Sequence, residues 1–176
     1  VRFGATSCTS KNHIDFPSLN NLANHHQMDF FIWLGDIVYA DDARTAEEYQ
    51  SFYDYNIKTD GFRAIIDNTP GLFIWDDHEI ANNWSIETID PDRLEIATTA
   101  FFNNLAIAPL PETPTRLWRS FTFGKTAEVF VLDCRGERVP SKGHYISPEQ
   151  MEWLKQGLSE SKAVWKLVIN SVPITK

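Results

Sequence analysis

The stretch LFIWDDHEIANNW, residues 72–84, joins an apolar segment directly to a dense group of polar side chains. Its first four residues have the pattern of a strand that is buried on both faces. Asp76, Asp77, His78 and Glu79 follow at once. Ionisable groups this close together repel one another and lose hydration together on burial. The sequence therefore predicts a positively charged partner at the end of this strand.

A second stretch, FFIWLGDIVYADD (residues 30–42), repeats the pattern. It also runs through Ile-Trp and then reaches an aspartate, Asp36, directly after a glycine. A helical segment separates the two stretches, so we expect neighbouring parallel strands whose carboxyl ends lie side by side. Two cations about 3.5–4 Å apart need an acid that bridges them. Asp36 suits the bridge, and Asp76 or Asp77 suits the second cation.

Each of these residues also has a simpler explanation when it is taken alone. An aspartate at the end of a strand commonly caps the next turn, which would suffice for Asp36. His78 alone would be a surface or structural residue, and Asn82 and Asn83 are typical turn formers. Two apolar strands that each end in carboxylates nevertheless favour a metal site.

The rest of the chain alternates between helical and strand patterns. Helices are predicted at 17–27, 45–56, 60–68, 90–106 and 147–161, and strands at 1–8, 28–35, 71–75 and 164–173, with a hairpin over 117–134. This order predicts an α/β fold with mixed β-sheet flanked by helices, in one domain without a linker. In the last helix, Met151, Leu154 and Leu158 are predicted to form the buried stripe.

The composition and the charge of the chain exclude some classes of function. Its 176 residues are 43% hydrophobic, enough for a sizeable core, and its formal net charge is −8. A basic stripe for nucleic acid and an apolar run of membrane-spanning length are both absent from the sequence. Two cysteines are too few for a disulfide framework, although they are enough for a single disulfide bridge. The chain begins at Val1 without a signal-peptide pattern, and we expect it to be a piece of a longer protein.

At the acidic stretches the sequence resembles a known family. GDIVY (35–39) resembles the G-D-x-x-Y motif of binuclear metallophosphatases, and DDHE (76–79) stands where many relatives carry G-N-H-E. With FGATSCTS (3–10), LDCRGER (132–138) and the segment 147–173, these motifs resemble the PhoD-like alkaline phosphatases and phosphodiesterases. The resemblance implies a metallophosphatase-like layered sandwich. Residues 1–176 would be the N-terminal and central part of one such domain.

The same resemblance implies a binuclear metal site, with Fe³⁺ and Ca²⁺ as its ions. Asp36 would bridge the metals, while Tyr39 as phenolate and Cys8 as thiolate would bind the iron. Asp76 and Asp77 would serve the second site, which magnesium or manganese would also suit because they accept the same oxygens. The alternatives are that Cys8 is a packing residue and that Tyr39 covers the sheet edge.

The resemblance also implies catalytic and substrate-binding residues. His78 and Asp77 would be the catalytic residues, and His78 would stabilise the phosphoryl group or protonate the leaving group. Asn83 and Arg135 would contact the phosphate, although a structural pairing of Arg135 with Asp133 or Glu137 explains that arginine equally well. Cys134 is expected to be a packing residue. The remaining histidines are expected at the surface, at positions His13, His25, His26 and His144.

The predicted function is metal-dependent hydrolysis of small phosphoric esters, with the choice between monoesters and diesters left open. The alternatives are a non-catalytic calcium-binding domain and an inactive phosphatase-like module. Five candidate ligands are too few for two cations with coordination numbers near six, so we expect residues 1–176 alone to be inactive. An extracytoplasmic location is implied by the resemblance only.

Overall fold

The computed structural model describes residues 1–10 and 15–173, so the prediction for His13 lies outside the described residues. The strands are β1 (Phe3–Thr6), β2 (Phe30–Leu34), β3 (Gly71–Ile74), β4 (Arg119–Phe123), β5 (Ala127–Val131) and β6 (Trp165–Ile169). The helices are α1 (Pro17–His25), α2 (Ala46–Ile57), α3 (Asp60–Ile66), α4 (Pro91–Asn104) and α5 (Pro148–Glu160), with a short 3-10 helix at Pro140–Lys142. The predicted α/β order is confirmed, but most strands are shorter than predicted.

The first sheet is parallel and has the order β1-β2-β3. In its register, Ile32 of β2 lies opposite Ala5 of β1 and Leu72 of β3. The strands of the two acidic stretches are therefore direct neighbours, as predicted. Their carboxyl ends meet at one edge of the sheet, which is where open α/β sheets place ligands.

The second sheet has the order β4-β5-β6 and is mixed. β4 and β5 form the predicted antiparallel hairpin, whose turn contains Gly124 at a φ of +57°. β6 runs parallel to β5 after the return through α5. The turn at Gly124 needs the left-handed region that glycine enters at no steric cost.

The two sheets pack face to face through the alternate side chains of their strands. Phe30 and Ile32 point towards the second sheet, whereas Phe31 and Trp33 point towards the helices. β2 is thus buried on both faces, which explains its unbroken apolar sequence. Each large apolar side chain buried in this way contributes roughly 1.5–3 kcal/mol. The intersheet core is made by Phe30, Ile32, Leu72, Ile74, Val129 and Val131.

The buried stripe of α5 differs from the predicted one, since Met151 is 41% exposed and Leu154 and Leu158 are only partly buried. Trp153 and Gly157 are partly buried like the two leucines, and the Trp153 ring packs against Trp118 and Phe130. A Cβ at Gly157 would lie 2.5 Å from Phe130, so the helix comes closest to β5 at this position. The predicted stripe is therefore wrong for Met151, whereas Leu154 and Leu158 are partly buried.

Candidate metal centre

Three loops meet where β1, β2 and β3 end, and backbone hydrogen bonds hold two of them together. Cys8 N–H donates to Gly35 O over 3.2 Å, and Thr9 N–H donates to Asp36 O over 2.8 Å. Gly35 has a φ of +85°, and a Cβ there would lie 2.6 Å from the Asp76 nitrogen. Only glycine therefore lets the loop after β2 come this close to the loop after β3.

Cys8, Asp36 and Tyr39 form the first cluster of candidate ligands. The Cys8 thiol and the Tyr39 hydroxyl each lie 3.3 Å from Asp36 Oδ2 and donate to it. Cys8 is exposed and comes after the end of β1, so a packing role for it is wrong. Cys8 and Asp36 also occupy the left-handed region, with φ values of 58° and 55°. Such backbone strain in non-glycine residues is typical of functional sites.

The pKa of each side chain in this cluster is raised. Burial raises the pKa of Asp36, although the Cys8 thiol opposes this shift. Burial and the nearby Asp36 carboxylate raise the pKa of Tyr39 above its usual range. Desolvation also raises the pKa of the Cys8 thiol. A cation that binds thiolate and phenolate here would therefore release protons, as metal binding to such ligands does in general.

Asp36, Asp77 and His78 form a second cluster, in which one ligand atom of each lies within 4.8 Å of the others. Asp77 is buried, and the Asn83 N–H donates to its Oδ2 over 2.6 Å. Burial raises the pKa of Asp77, but the Asn83 N–H and the charge of Arg135 outweigh that effect and lower it. Asp36 belongs to both clusters, which is the position that a bridging carboxylate requires.

Asp76 is held by the protein itself. Arg135 Nε donates to Asp76 Oδ1 over 2.7 Å, Arg135 Nη2 donates to Oδ2 over 3.3 Å, and the Ser171 hydroxyl donates to Oδ1 over 3.1 Å. The guanidinium is therefore a positive partner of the acids after β3. The alternative pairing of Arg135 with Asp133 or Glu137 is not what the structure shows, since only its backbone N–H donates to Asp133.

Asn83 approaches the centre through its backbone. It has a φ of 55°, which directs its N–H towards Asp77. Its side chain is at the surface, where it donates to Asn82 Oδ1 over 3.3 Å. Asn83 therefore forms a turn and also lies beside the candidate ligands.

Glu79 connects the loops after β2 and β3 and was not assigned a role from the sequence. Its two oxygens accept the Ile37 N–H over 2.5 Å and the Asp76 N–H over 2.9 Å. The side chain is fully buried, and burial raises its pKa well above the usual range. Its position after His78 is visible in the sequence, but the two hydrogen bonds that it accepts depend on how the loops fold together.

Asn56 of α2 supports the first cluster and was also missed. Its amide donates to Thr9 O over 3.1 Å and to Ile37 O over 2.5 Å. The Thr9 hydroxyl donates to the same Ile37 oxygen over 2.9 Å. These bonds hold the segments that carry Cys8 and Asp36 against the helix. No local pattern in the sequence could have identified an amide so distant along the chain.

The chemistry of the donors fits a cation pair. Asp36 Oδ1 is buried and lacks a hydrogen-bond partner within the residues that the structure describes. An orphaned carboxylate oxygen in the interior is costly unless a cation binds it. Thiolate and phenolate suit a transition metal such as iron, and carboxylates suit a hard cation such as calcium. Cys8, Asp36 and Tyr39 would hold the first, and Asp36 with Asp77 the second.

The other expected surface and core residues agree with the structure. Both cysteines are free thiols, and Cys134 is buried, which raises its pKa to about 12. His25, His26 and His144 are exposed. Among the described residues, no helix combines the length and the apolarity that a bilayer crossing requires.

Comparisons with known proteins identify relatives of this chain. The sequence model described as PhoD-like phosphatase matches residues 3–176. Alkaline phosphatase D of Bacillus subtilis (strain 168) is 23% identical over 221 residues, which cover 100% of this chain and 38% of that protein. A solved structure of PhoD has a TM-score of 0.83 at 23% identity and covers 96% of this chain and 41% of that one.

A more distant structure shares the fold as well. The purple acid phosphatase from yellow lupin (Lupinus luteus) seeds has a TM-score of 0.60 at 19% identity, over 95% of this chain and 29% of that one. The predicted metallophosphatase-like fold is thereby confirmed. The chain spans about two fifths of the length of the curated relative and of the PhoD structure.

Proposed function

Because this chain belongs to the PhoD-like phosphatase family, we propose that the protein carrying it hydrolyses phosphoric esters at a centre of two cations. The observation that supports the proposal is that Asp36 belongs to both clusters of candidate ligands. One of its oxygens faces Cys8 and Tyr39, and the carboxylate also lies with Asp77 and His78. A shared carboxylate between two different sets of donors is what a pair of unlike cations needs.

The residues divide between the two cations by the chemistry of their atoms. We assign Cys8, Asp36 and Tyr39 to ferric iron, and Asp36 and Asp77 to calcium, for which magnesium or manganese would be substitutes. When bound, such cations supply Lewis acidity and activate water for attack on phosphorus. Asp76 joins the second set only if Arg135 releases it, and therefore we place it at the edge of the centre.

The protein's own groups would position the ester and receive its charge. Arg135 lies 3.8 Å from Asp77 through Nη2, which puts its positive charge beside the second cluster, where a phosphate oxygen would bind. The His78 imidazole lies in the same cluster and would donate a proton to the leaving oxygen. The chain's net charge of −8 opposes an anionic substrate, so the positive charge of Arg135 and of the bound cations would provide the attraction.

The test uses the full-length protein and, separately, residues 1–176. We expect the full-length protein to hydrolyse p-nitrophenyl phosphate or its bis-ester, to contain iron by elemental analysis, and to absorb visible light through a phenolate–iron bond. We expect the shorter segment to be inactive or nearly so. A full-length protein that binds calcium without iron and hydrolyses neither ester would instead be the non-catalytic calcium-binding alternative.

A further inference from the structure

Two arginines that have no role in the proposed function meet at the loop after β2. Arg44 Nη1 donates to Asp41 O over 3.0 Å, and Arg93 Nη2 donates to the same oxygen over 2.6 Å. One carbonyl oxygen therefore holds both guanidinium groups, and the two donor nitrogens can be no farther apart than the two hydrogen bonds together. Like charges this close repel each other, which disfavours the arrangement unless an anion lies beside them.

The protein gives neither guanidinium group a direct anionic partner. Among the described residues, the ion pairs with carboxylates do not include Arg44 or Arg93. Neighbouring acids have other hydrogen-bond partners, namely the His78 ring for Asp41 and the backbone N–H groups of Arg44 and Arg93 for Glu48 and Asp90. An anion from outside the protein would therefore relieve the repulsion.

Both arginines also keep donors that the described part of the protein does not use. Arg93 donates through Nε to the Tyr49 hydroxyl over 3.0 Å and through Nη2 to two backbone carbonyls, but its Nη1 makes no hydrogen bond within the described residues. Within the same residues, Arg44 donates to carbonyls through Nη1 and leaves Nε and Nη2 free. Guanidinium groups with free N–H donors match the oxygens of a phosphate, which they commonly bind through two parallel hydrogen bonds.

The two arginines line an open cleft of about 600 Å³ that adjoins the candidate metal centre. Asn83 lines the same cleft, and its N–H donates to Asp77 Oδ2 over 2.6 Å. Trp84 and Ile89 add apolar surface to the wall. A cleft of this size is typical of small-molecule sites, which combine apolar walls with a few polar groups.

We propose that this cleft binds a second phosphate group of the substrate, so that the hydrolysed ester is one that carries another phosphate. The proposal rests on the proposed function, because it names the substrate class of the same centre. The ester phosphate would lie at the cations, and the second phosphate would accept hydrogen bonds from Arg44 and Arg93. A phosphate dianion suits the cleft better than a carboxylate, because its two negative charges match the two guanidinium charges.

The first test compares propyl phosphate with propane-1,3-diyl bisphosphate in the full-length protein. The two esters share the same carbon chain and differ by one phosphate. We expect a kcat/KM about tenfold higher for the bisphosphate, mainly through a lower KM, which is the effect of one charged hydrogen bond. Arg44→Gln should abolish most of this preference. Arg63→Gln is the matched control, because it removes an equal charge from an exposed position of α3 and should keep the preference.

Calorimetry with inorganic phosphate in the metal-free full-length protein supplies a readout that does not need activity. Without cations, the acids of the centre repel phosphate, so binding reports on the cleft. At low ionic strength we expect phosphate to bind the wild type and Arg63→Gln, and to bind about tenfold more weakly to Arg44→Gln and Arg93→Lys. Arg93→Lys keeps the charge but loses the planar fork, and circular dichroism checks that this variant is folded.

Equal kcat/KM values per phosphate group of the two esters would overturn the proposal, as would a bisphosphate preference that Arg44→Gln leaves intact. The same holds for calorimetry that finds no binding, or finds one affinity for the wild type and Arg44→Gln. If the wild type hydrolysed neither ester, the proposed function would fail, whereas the calorimetry would still decide whether the cleft binds phosphate.

Discussion

Arg135 Nε lies 2.7 Å from Asp76 Oδ1, in a contact that joins the segment after β5 to the loop after β3. The exposed fractions of the two side chains are 7% and 15%, so the pair is largely removed from water. Burial lowers the pKa of Arg135, but the hydrogen bond and the charge of Asp76 outweigh that effect and raise it. The two sheets are thus linked at the edge where the candidate ligands meet.

Removal of Arg135 should leave Asp76 as an unpaired buried charge. We expect Arg135→Met to destabilise the metal-free protein by about 3–5 kcal/mol, the usual cost of breaking such a pair. Urea unfolding measures the change. In the double variant Asp76→Asn with Arg135→Met, much of the lost free energy of unfolding should be recovered, because no buried charge is then left unpaired. Additive losses from the two single changes would show that the pair is not coupled.

Removal of Asp36 should eliminate both cations at once, because the carboxylate belongs to both clusters. We expect Asp36→Ala to lose bound metal by elemental analysis and to lose turnover with p-nitrophenyl phosphate. Asp42→Asn is the matched control, since it removes a nearby exposed carboxylate. Retained turnover in Asp36→Ala would contradict the bridging role.

Loss of the Tyr39 hydroxyl should remove the visible absorption of the protein while the fold remains. Tyr39→Phe keeps the ring that stacks on His78 and deletes only the oxygen that faces Asp36. We expect the phenolate–iron band to disappear in the absorption spectrum, with near-wild-type far-ultraviolet circular dichroism. A variant that retains the band would show that another group provides it.

Truncation of Asn56 should weaken the support beneath Cys8 and Asp36. Asn56→Ala leaves the Thr9 carbonyl without its side-chain donor and takes one donor from the Ile37 carbonyl, so we expect a loss of roughly 1–3 kcal/mol. Urea unfolding and iron content are the measurements. Asn24→Ala, at an exposed position of α1, should change the free energy of unfolding by less than about 0.5 kcal/mol. Equal effects of the two changes would argue against the supporting role.

Asp133 should make the stability of the wild type fall as the pH rises. Its Oδ1 accepts three N–H groups, from Trp75, Arg135 and Gly136. Burial raises the pKa of Asp133 in the folded chain, and the three hydrogen bonds oppose that shift only in part. A carboxyl whose folded pKa is raised contributes stability below its unfolded pKa, about 3.9, and loses it as the pH rises through the folded pKa.

Asp133→Asn keeps an oxygen for the three donors and removes the charge. We therefore expect the free energy of unfolding of the variant, relative to the wild type, to increase from pH 4 upwards. Urea unfolding of the metal-free proteins at several pH values provides the comparison. A difference that stays constant over this range would show that Asp133 is not the group that titrates.

Local sequence patterns correctly predicted the strands and the hairpin, whose formation follows from the residues of each segment. The apolar stretches around Phe31 and Phe73 became the neighbouring parallel strands, and the hairpin turned at Gly124 as predicted. In α5, Met151 was wrongly predicted to be buried, and the close approach of Gly157 to Phe130 of β5 was not predicted. A contact between distant segments cannot be read from the periodicity of either one.

The sequence by itself determined that acidic residues follow two buried strands, because apolar runs and the residues after them are local features. It also determined the parallel pairing that brings Asp36 and Asp77 to one sheet edge. Only the tertiary structure decided that Arg135 pairs with Asp76, that Glu79 and Asn56 tie the loops, and that Asp41 meets His78. These contacts join residues far apart in the chain, and their directions depend on loop backbones that no periodicity encodes.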